Sequence, residues 1–379
     1  MVSPSRQRVA FDVTPLTMFR TGIGLSVQET WKALGDLAGG PVLIPYVLGL
    51  RSRTRSAGLP AGIRAVRIPT RALLAMWARA GVPRLDWQFG DAGVVHATNF
   101  VVAPSRHPTV VTVHDVGFAI DPSTANPVVA TFPAVLRKAL DRGAEVHVTT
   151  EVVASEVEEH FGPGLRASGR ITVVPWGLPA RASPLPLPEA LAGRIGHGPY
   201  VLAVGTHERR KNLPRLVEAF GRAAPPRTDV RLVIAGQHGP DTARVLGAVE
   251  ALGPPFAGRV VVAGPVPAGV LTTLREGALA LAYPSLYEGF GFPPLEAMSA
   301  GIPVLAGSGG AVAEVAGPAA ELAEPRDVGS LARGLARVVF DEARRAELVD
   351  NGRRHAAGFS WQRTARGLAD LYSRLATSS

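Results

Sequence analysis

The residues of this chain best placed to do chemistry are two glutamates, Glu288 and Glu296, with seven residues between them. The segment between them holds Gly289 and Gly291, ends in a helix-starting pattern with two prolines, and follows an apolar run that ends at Tyr283. Glycines let a ligand approach the backbone N–H groups closely, and a helix N-terminus favours an anion. Two ionised carboxylates facing one pocket there can accept hydrogen bonds from vicinal hydroxyls. The alternative is that Glu288 caps the turn and Glu296 is a solvated helix residue.

A second candidate is the cation pair Arg210 and Lys211, which follows another strand-like run. The chain has 40 lysines and arginines, and only three of them are lysines, Lys32, Lys138 and Lys211. A lysine kept in such an arginine-rich chain indicates a point-charge contact with a phosphate. A solvated residue at the start of a helix is the alternative.

Composition excludes several classes of function. The chain has 379 residues, enough for about two domains with full cores, and no cysteine, so disulfides, thiolate zinc sites and cysteine nucleophiles are excluded. Its net charge of +9 accompanies many Arg, Ala, Gly and Pro residues, as in proteins of GC-rich genomes, and is weak evidence for a polyanionic partner. We find no leader-like or membrane-spanning apolar run and expect a cytoplasmic chain.

The order of elements predicts an α/β fold. Short β-branched runs alternate with helix-length amphipathic segments in both halves, which is typical of parallel sheets covered by helices. About twelve strands fit two sheets better than one. Five prolines between Pro175 and Pro188 predict a stiff linker between two doubly wound domains, each binding ligands at the carboxyl ends of its strands. An amphipathic segment from Trp361 to Leu375 follows the second core and is expected to return to the first domain.

Several short motifs occur in an order typical of one enzyme family. They are 204–213 (Val-Gly-Thr-His-Glu-Arg-Arg-Lys-Asn-Leu), the glutamate segment 288–304, the glycine-rich 307–310 with Glu314-Val315, and 359–361, preceded by 21–24 and 112–115. With these motifs the chain resembles glycosyltransferase family 4, the retaining nucleotide-sugar enzymes of GT-B fold, over most of its length. The resemblance implies two Rossmann-like domains facing each other across a cleft. The acceptor domain would span 1–178, the donor domain 179–358 and a C-terminal crossover helix 359–379.

The resemblance also implies roles for individual residues. Arg210 and Lys211 match the residues that hold the donor diphosphate, Glu288 the one at the C3 and C4 hydroxyls of the transferred sugar, and Glu296 the one at the ribose. His114, at the predicted end of a strand, matches the active-site histidine near the anomeric centre, so His114, Glu288, Arg210 and Lys211 are the expected catalytic set. The further donor-binding positions are Gly22, Gly24, Gly205, Thr206, Gly289, Phe290, Gly291 and Leu295.

Three features of the first half are less specific. Gly22 and Gly24 fall in the first strand-to-helix turn, where open amides would meet the diphosphate or the acceptor. Asn99 and Asp115 are acceptor-side candidates, and Asp115 either holds His114 in one tautomer or caps its loop. Where the family often has Ser-x-x-Ser, the chain has Thr-Glu-Val-Val from Thr150, a departure that argues against a ligand contact there.

The expected reaction is a retaining transfer of a hexose, with a lean to mannose, from a nucleoside-diphosphate sugar to a hydroxyl of a glycan, a lipid-linked acceptor or a small molecule. No carboxylate stands out as a nucleophile, which favours the family's front-face route. No Asp-x-Asp stands at a strand end, so we expect no metal and no cofactor beyond the nucleotide-sugar co-substrate. The chain carries no signature of a nucleic-acid-binding fold, and no nucleic-acid partner is expected.

Two other classes compete with this interpretation. A nicotinamide-dependent oxidoreductase would use Gly307-Ser-Gly-Gly with Asp327 twenty residues on, but Val312 replaces the third glycine and the motif lies late in its domain. A membrane-surface module would use the basic, aromatic-containing region from Arg51 to Arg84 with Trp87, at the face of an anionic membrane. The alternative for that region is a helix packed on its own domain with solvated arginines.

Overall fold

The computed structural model describes residues 6–17, 22–49, 59–66, 68–120, 128–224, 228–254 and 256–377. The chain divides into two compact units. The first comprises Met1–Pro179 together with Phe359–Ser379, and the second comprises Ala180–Gly358. No helix within the described ranges has both the length and the apolar character needed to cross a membrane.

The described part of the first unit is built on a seven-stranded sheet in which all neighbouring strands are parallel. The strands are β1 (Arg8–Asp12), β2 (Val42–Val47), β3 (Arg64–Ala65), β4 (Val94–Ala97), β5 (Thr109–Thr112), β6 (Glu145–Val148) and β7 (Ile171–Val173). Their order across the sheet is β3-β2-β1-β4-β5-β6-β7. The order reverses direction between β1 and β4, which makes the carboxyl ends of those two strands the expected ligand-binding point of this sheet.

Helices connect these strands. They are α1 (Gly22–Asp36), α2 (Thr70–Arg79), α3 (Asp86–Phe89), α4 (Gly117–Ile120), α5 (Phe132–Asp141) and α6 (Glu151–Phe161), with 3₁₀ turns at Thr14–Thr17 and Val129–Thr131. Thr150 begins α6 by accepting a hydrogen bond from the Val153 N–H at 3.2 Å through its hydroxyl. The threonine that departs from the family pattern is therefore a helix cap.

The second unit has a six-stranded parallel sheet in its described residues. Its strands are β8 (Tyr200–Val204), β9 (Arg231–Ala235), β10 (Val260–Gly264), β11 (Ala280–Tyr283), β12 (Val304–Gly307) and β13 (Glu321–Ala323), in the order β10-β9-β8-β11-β12-β13. Here the order reverses between β8 and β11. The strands read as continuous apolar runs because the sheet is buried on both faces.

The helices of this unit cover its sheet. They are α7 (Glu189–Ile195), α8 (Leu213–Ala223), α9 (Thr242–Ala251), α10 (Ala268–Glu276), α11 (Phe292–Ser299), α12 (Gly310–Ala316), α13 (Val328–Phe340) and α14 (Glu342–Ala356), with 3₁₀ turns at Arg209–Lys211, Ala257–Arg259 and Gly317–Ala319. Leu216, Val217 and Phe220 of α8 and Leu335 and Val338 of α13 are buried in one core cluster with the strand side chains. Both α8 and α13 present one apolar stripe to the sheet, as the helical spacing of these residues predicts.

The C-terminal helix α15 (Trp361–Thr377) belongs to the first unit, which confirms the predicted return. The Tyr372 hydroxyl lies 2.6 Å from Nδ1 of His96, whose Nε2 lies 2.8 Å from the Thr112 hydroxyl. That hydroxyl lies 2.9 Å from Nδ1 of His147, and Nε2 of His147 lies 3.0 Å from the carbonyl oxygen of Val174.

Burial lowers the pKa of His147 to about 4 and lowers that of His96 as well, so both rings are neutral. A carbonyl oxygen only accepts, so a neutral His147 carries its proton on Nε2 and accepts from the Thr112 hydroxyl at Nδ1. Thr112 then accepts from Nε2 of His96, and His96 accepts from the Tyr372 hydroxyl. The relay joins α15 to β4, β5 and β6 through buried polar groups that are all satisfied.

Several predicted element bounds were wrong. The run 63–68 predicts a strand, but within the described residues only the two residues of β3 form one. The run 110–114 also predicts a strand, which ends at Thr112 in the structure and leaves His114 in the following loop. The amphipathic segment from residue 25 predicts a helix, which begins at Gly22. The structure also has a strand, β13, that the pattern did not predict, since it has three residues and its middle residue is exposed.

The relay generates a stability prediction. Replacing Tyr372 with Phe leaves the buried Nδ1 of His96 without its donor, so we expect the first unit to lose about 1–2 kcal/mol of unfolding free energy. All five tryptophans lie in the first unit, so tryptophan fluorescence during urea unfolding reports on that unit. The matched control is Tyr46→Phe, because Tyr46 is equally buried but its hydroxyl has no hydrogen-bond partner. An equal loss in both variants would contradict the relay.

Candidate active site

The strand order of the second unit places the loops that follow β8 and β11 side by side. Lys211 ends the 3₁₀ turn that follows β8, and Glu288 lies in the loop that follows β11. These strands are neighbours at the reversal of strand order, where open α/β sheets bind their ligands. Residues 77 positions apart in sequence are thereby brought into contact.

Lys211 and Glu288 form a buried ion pair. The ammonium Nζ of Lys211 bonds to Oε1 of Glu288, and the two side chains are each only 10% exposed. The Tyr283 hydroxyl, at the end of β11, lies 2.8 Å from the same ammonium and 3.0 Å from Oε1 of Glu288. The ammonium also lies 4.9 Å from the centre of the Tyr283 ring. Since the pair is buried, removal of either partner leaves an uncompensated charge.

Arg210 completes the charge cluster. Its Nη1 lies 2.5 Å from Oε2 of Glu288, and its Nε lies 2.8 Å from Oε2 of Glu208. The Arg210 side chain is 41% exposed, so one face of the cluster is open to an incoming ligand. Both predicted cations thus contact the predicted sugar-binding carboxylate directly, an arrangement that sequence spacing did not indicate.

The protonation states of the pair are set by competing effects. Burial would raise the pKa of the Glu288 carboxyl, but the charges of Lys211 and Arg210 hold that pKa below its usual value. Burial lowers the pKa of the Lys211 ammonium, and the Glu288 charge opposes this. Burial raises the pKa of Tyr283 well above its usual value, so its hydroxyl keeps its proton. The cluster carries two positive charges against one buried carboxylate, with Glu208 at its exposed side.

Backbone geometry fixes the position of the lysine. Gly205 directly follows β8 with φ +152°, and a Cβ there would lie 3.1 Å from carbons of the Lys211 side chain. Asn212 adopts φ +59° directly after Lys211, and its amide donates to the carbonyl oxygens of Pro284 and Pro325 at 3.1 and 2.6 Å. The two loops are therefore joined through Asn212 as well as through the ion pair.

The second glutamate has a cationic partner of its own. Glu296 lies on α11, and its Oε2 is 2.6 Å from Nη2 of Arg275, at the end of α10. Arg275 is 8% exposed and Glu296 is 23% exposed at the side chain. Glu296 is therefore neither unpaired nor fully solvated.

The remaining predicted donor-binding positions surround these pairs. Gly291 has φ +103° and precedes α11, which has Pro293 and Pro294 in its first turn, as predicted. Phe290 and Leu295 are buried, and Leu295 is fully inaccessible, so its side chain packs in the core and cannot contact a ligand. Thr206 and Gly289 are partly buried in the loops after β8 and β11.

In the first unit, His114 is a buried residue in the loop after β5. Its Nε2 donates to the carbonyl oxygen of Thr98 at 2.9 Å, so Nδ1 is the unprotonated nitrogen. Burial lowers its pKa to about 4. Asp115 accepts a hydrogen bond from the Gly117 N–H at 2.9 Å and so caps the loop, the second of its two predicted roles. Asn99, after β4, has a buried side-chain oxygen with no hydrogen-bond partner.

The predicted glycine turn of the first unit was wrong in its placement. Gly22 is the exposed first residue of α1, and Gly24 is buried within the first turn of that helix. Thr21 of the same motif lies outside the described residues. A helix does offer unpaired N–H groups in its first turn, but these two positions do not form the open loop that was expected.

The basic region proposed for a membrane surface is partly described. Arg51, Arg53 and Arg55 lie outside the described residues. Leu73, Leu74 and Trp77 of α2 are buried in the core, which corresponds to a helix packed on its own domain. Trp87 is 66% exposed.

Sequence reasoning missed Arg275, Tyr283 and Asn212 as site residues. Asn212 occurs in the motif 204–213 and Tyr283 ends the apolar run before Glu288, so polar groups at and after the ends of buried strands were a usable signal. Arg275 carries no local signal, because its partner Glu296 is 21 residues away on another helix. Within the described ranges, no group of three or more His, Asp or Glu side chains is arranged to hold a metal ion.

Comparison with known proteins agrees with this geometry. Residues 193–355 match the family model described as "Glycosyl transferases group 1". The chain is 26% identical to O-antigen chain mannosyltransferase B of Escherichia coli, over 97% of this chain and 100% of that protein. Sucrose-phosphate synthase from Thermosynechococcus elongatus covers 99% of this chain and 100% of its own, at 20% identity and a TM-score of 0.70. HepE from Anabaena, solved with UDP and glucose, covers 97% and 100%, at 15% identity and a TM-score of 0.70.

The parallel sheets and their connections have the GT-B fold. Residues 193–355 are therefore similar to the group 1 glycosyltransferases, and the chain is similar over nearly its whole length to a protein named as a mannosyltransferase.

The buried histidines of the first unit generate a pH prediction. Burial lowers the pKa of His114 and of His147 to about 4, and also that of His96, whereas an unfolded histidine has a pKa near 6.5. Unfolding therefore takes up protons below about pH 6.5, so we expect the first unit to lose stability as the pH falls from about 6.5 to about 4. Asp12 acts in the opposite direction, because burial raises its pKa from 3.8 to about 6 and its contribution is lost as the pH rises.

Three histidines outweigh one aspartate, so the net change on acidification is a loss. Urea unfolding followed by tryptophan fluorescence at a series of pH values measures it. His147→Gln removes one titrating group and should make the stability fall less steeply with pH, whereas His197→Gln, at an exposed position of the second unit, should not. A pH-independent midpoint between 6.5 and 4 would refute the assignment of neutral buried histidines.

Proposed function

We propose that this enzyme is a retaining glycosyltransferase of family 4. It transfers a hexose, with mannose the first candidate, from a nucleoside-diphosphate sugar to a hydroxyl of a glycan, a lipid-linked acceptor or a small molecule. The observation that carries the proposal is the carboxylate of Glu288 held by Lys211 and Arg210 at the strand-order reversal. Its relatives include a protein named as a mannosyltransferase and one solved with UDP and glucose, which supports the donor class.

The charge cluster provides for exchange of one anion for another. A donor diphosphate that binds Lys211 and Arg210 replaces Glu288 as their counter-ion. Glu288 is then available as a hydrogen-bond acceptor for hydroxyls of the transferred sugar. This exchange reconciles the predicted roles of the two cations and the glutamate with the direct contacts between them: the diphosphate neutralises the cations, and sugar hydroxyls then satisfy the buried carboxylate by hydrogen bonding.

The cations also serve the chemical step. As the bond between the anomeric carbon and the β-phosphate oxygen breaks, negative charge develops on the diphosphate, where Lys211 and Arg210 stabilise it. The acceptor oxygen bonds to the anomeric carbon from the same face, and its proton passes to the departing phosphate oxygen. We propose that these two cations do the work for which other transferases use a metal ion, and that transfer therefore persists in EDTA.

The first unit is proposed to supply His114 to the transferred sugar. Its Nε2–H is committed to the Thr98 carbonyl, which fixes the ring, and its low pKa keeps the ring neutral. A neutral ring with an unprotonated Nδ1 can accept a hydrogen bond from a sugar hydroxyl.

Substitutions at the charge cluster test the proposed anion exchange. Lys211→Ala should lower kcat by about 10²–10³-fold and weaken nucleoside-diphosphate binding, because it removes a cation from the leaving group. Glu288→Gln should lower kcat by at least about 10²-fold yet bind GDP or UDP at least as tightly as the unaltered enzyme, because it removes the competing anion. Turnover of donor sugars and calorimetric titration with the diphosphates measure the two effects.

Matched controls are available in the chain. Lys32→Ala alters a lysine 57% exposed at its side chain in the first unit and should leave both measurements unchanged. Glu321→Gln alters another buried glutamate held by two cations, Arg337 and Arg344, and should reduce stability without a selective loss of kcat. Normal turnover in Lys211→Ala, or weaker diphosphate binding in Glu288→Gln, would count against the mechanism.

The stereochemistry of the product tests the retaining route separately. From an α-configured donor of defined sugar, we expect an α-linked product, because departure and attack use one face of the anomeric carbon. The one-bond coupling between the anomeric carbon and its proton in the NMR spectrum of the product gives the configuration, also for a manno-configured sugar. A β-linked product would exclude the front-face route and the family 4 assignment together.

A further inference from the structure

Arg275 is a buried guanidinium with one ionic partner among the described residues. Its Nη2 lies 2.6 Å from Oε2 of Glu296, and its Nε is buried with no hydrogen-bond partner. It ends α10, whereas Glu296 lies on α11 after the next strand, so the pair depends on the folded sheet. An arginine stays ionised under all ordinary conditions, so this buried charge is permanent.

The pair is asymmetric in exposure. Arg275 is 8% exposed, but the Glu296 side chain is 23% exposed, and its second oxygen, Oε1, is not among the buried unsatisfied atoms. One carboxylate oxygen is therefore fixed from the protein interior while the other is accessible at the surface. A carboxylate held in this way offers the lone pairs of its free oxygen in a fixed direction, which is the condition for bonding two neighbouring hydroxyls of one ligand.

A contribution to stability alone does not explain the ion pair between Arg275 and Glu296. A buried ion pair repays its desolvation only with good geometry and full hydrogen bonding, and the unsatisfied Nε shows that Arg275 lacks the latter. By contrast, Arg259, another buried arginine of the second unit, bonds the Val230 carbonyl and the Thr228 hydroxyl and packs on aromatic rings. Arg259 has the contacts of a structural residue, and Arg275 has those of a residue that orients a carboxylate.

We propose that Arg275 is a positioning residue that fixes Glu296 to accept the ribose hydroxyls of the donor nucleotide, so that the enzyme selects ribonucleoside over 2′-deoxyribonucleoside diphosphates. This inference rests on the proposed function, in which Glu296 binds the ribose. Without Arg275, the Glu296 side chain regains its rotamer freedom and loses its fixed acceptor direction, and the 2′-hydroxyl of the ligand then gains little from it.

The test is the ratio of dissociation constants for a 2′-deoxy- and a ribonucleoside diphosphate with the same base. Calorimetric titration of the full-length enzyme uses GDP, UDP and ADP, each against its 2′-deoxy form. For the base that binds, we expect the unaltered enzyme to favour the ribo form by about 10-fold or more, as for a hydrogen bond to a charged group. Arg275→Met, which keeps length but removes charge, should bring the ratio to about one to two, and Arg275→Lys should give an intermediate ratio.

The control is Arg259→Met, which should lower thermal stability and keep the full ratio. If Arg275→Met weakens both forms equally and keeps the ratio, Arg275 is only structural and the inference is wrong. If that variant does not fold, the ratio in Arg275→Lys decides, since an unchanged ratio there also overturns it. Glu296→Gln distinguishes failure of the inference about Arg275 from failure of the proposed ribose role of Glu296. Loss of the ratio in Glu296→Gln but not in Arg275→Met overturns the inference alone, whereas no ribo preference in the unaltered enzyme overturns the ribose role of Glu296 itself.

Discussion

The site of the second unit depends on the rule that a buried charge must be neutralised where it lies. Lys211 and Glu288 are each about nine-tenths buried, and neither could remain ionised there without a partner that compensates its charge or satisfies its hydrogen bonds. Their loops meet only when β8 and β11 are paired, so the sheet must form before the site exists. The same rule explains why a diphosphate is a fitting ligand. It brings the negative charge that the cations require, so it can take the place of Glu288 without leaving either cation unpaired.

Burial and pairing alone do not make a glutamate functional. Glu321 is also buried and bonds two cations, Arg337 and Arg344, at 3.0 Å each. It begins β13, however, at the amino end of an edge strand, whereas Glu288 follows the carboxyl end of a central one. Ligands of open parallel sheets bind at the carboxyl ends of the strands. A buried, ion-paired glutamate at the amino end of a strand is therefore structural, whereas one that follows the carboxyl end can take part in catalysis. Position in the topology distinguishes the two glutamates.

Prediction from sequence succeeded where the signal was local. The apolar runs of β8 and β9 and the helical stripe of α8 have the predicted positions because period and burial set them. The short strand β13 and the strand end before His114 were missed, because three-residue strands carry little pattern and a strand ends where its neighbour ends. The link between Tyr372 and His96 spans 276 residues, and that between Arg275 and Glu296 joins two helices, so both were invisible before the fold was known.

Ion pairs hold the segment from Glu288 to Glu296 at both of its ends. Glu288 is bonded to cations beyond β8, and Glu296 is bonded to the last turn of α10, so different elements fix the two carboxylates. Between them, Gly291 adopts a φ of +103°, which an L side chain rarely accepts, and no side chain there obstructs the backbone. The seven-residue spacing of the glutamates is therefore the length of chain needed to leave a strand, turn at a glycine and complete the first turn of a helix. Carboxylates placed by both ends of such a segment can hold two parts of one ligand at a fixed separation, which is what positioning a donor sugar and its nucleotide requires.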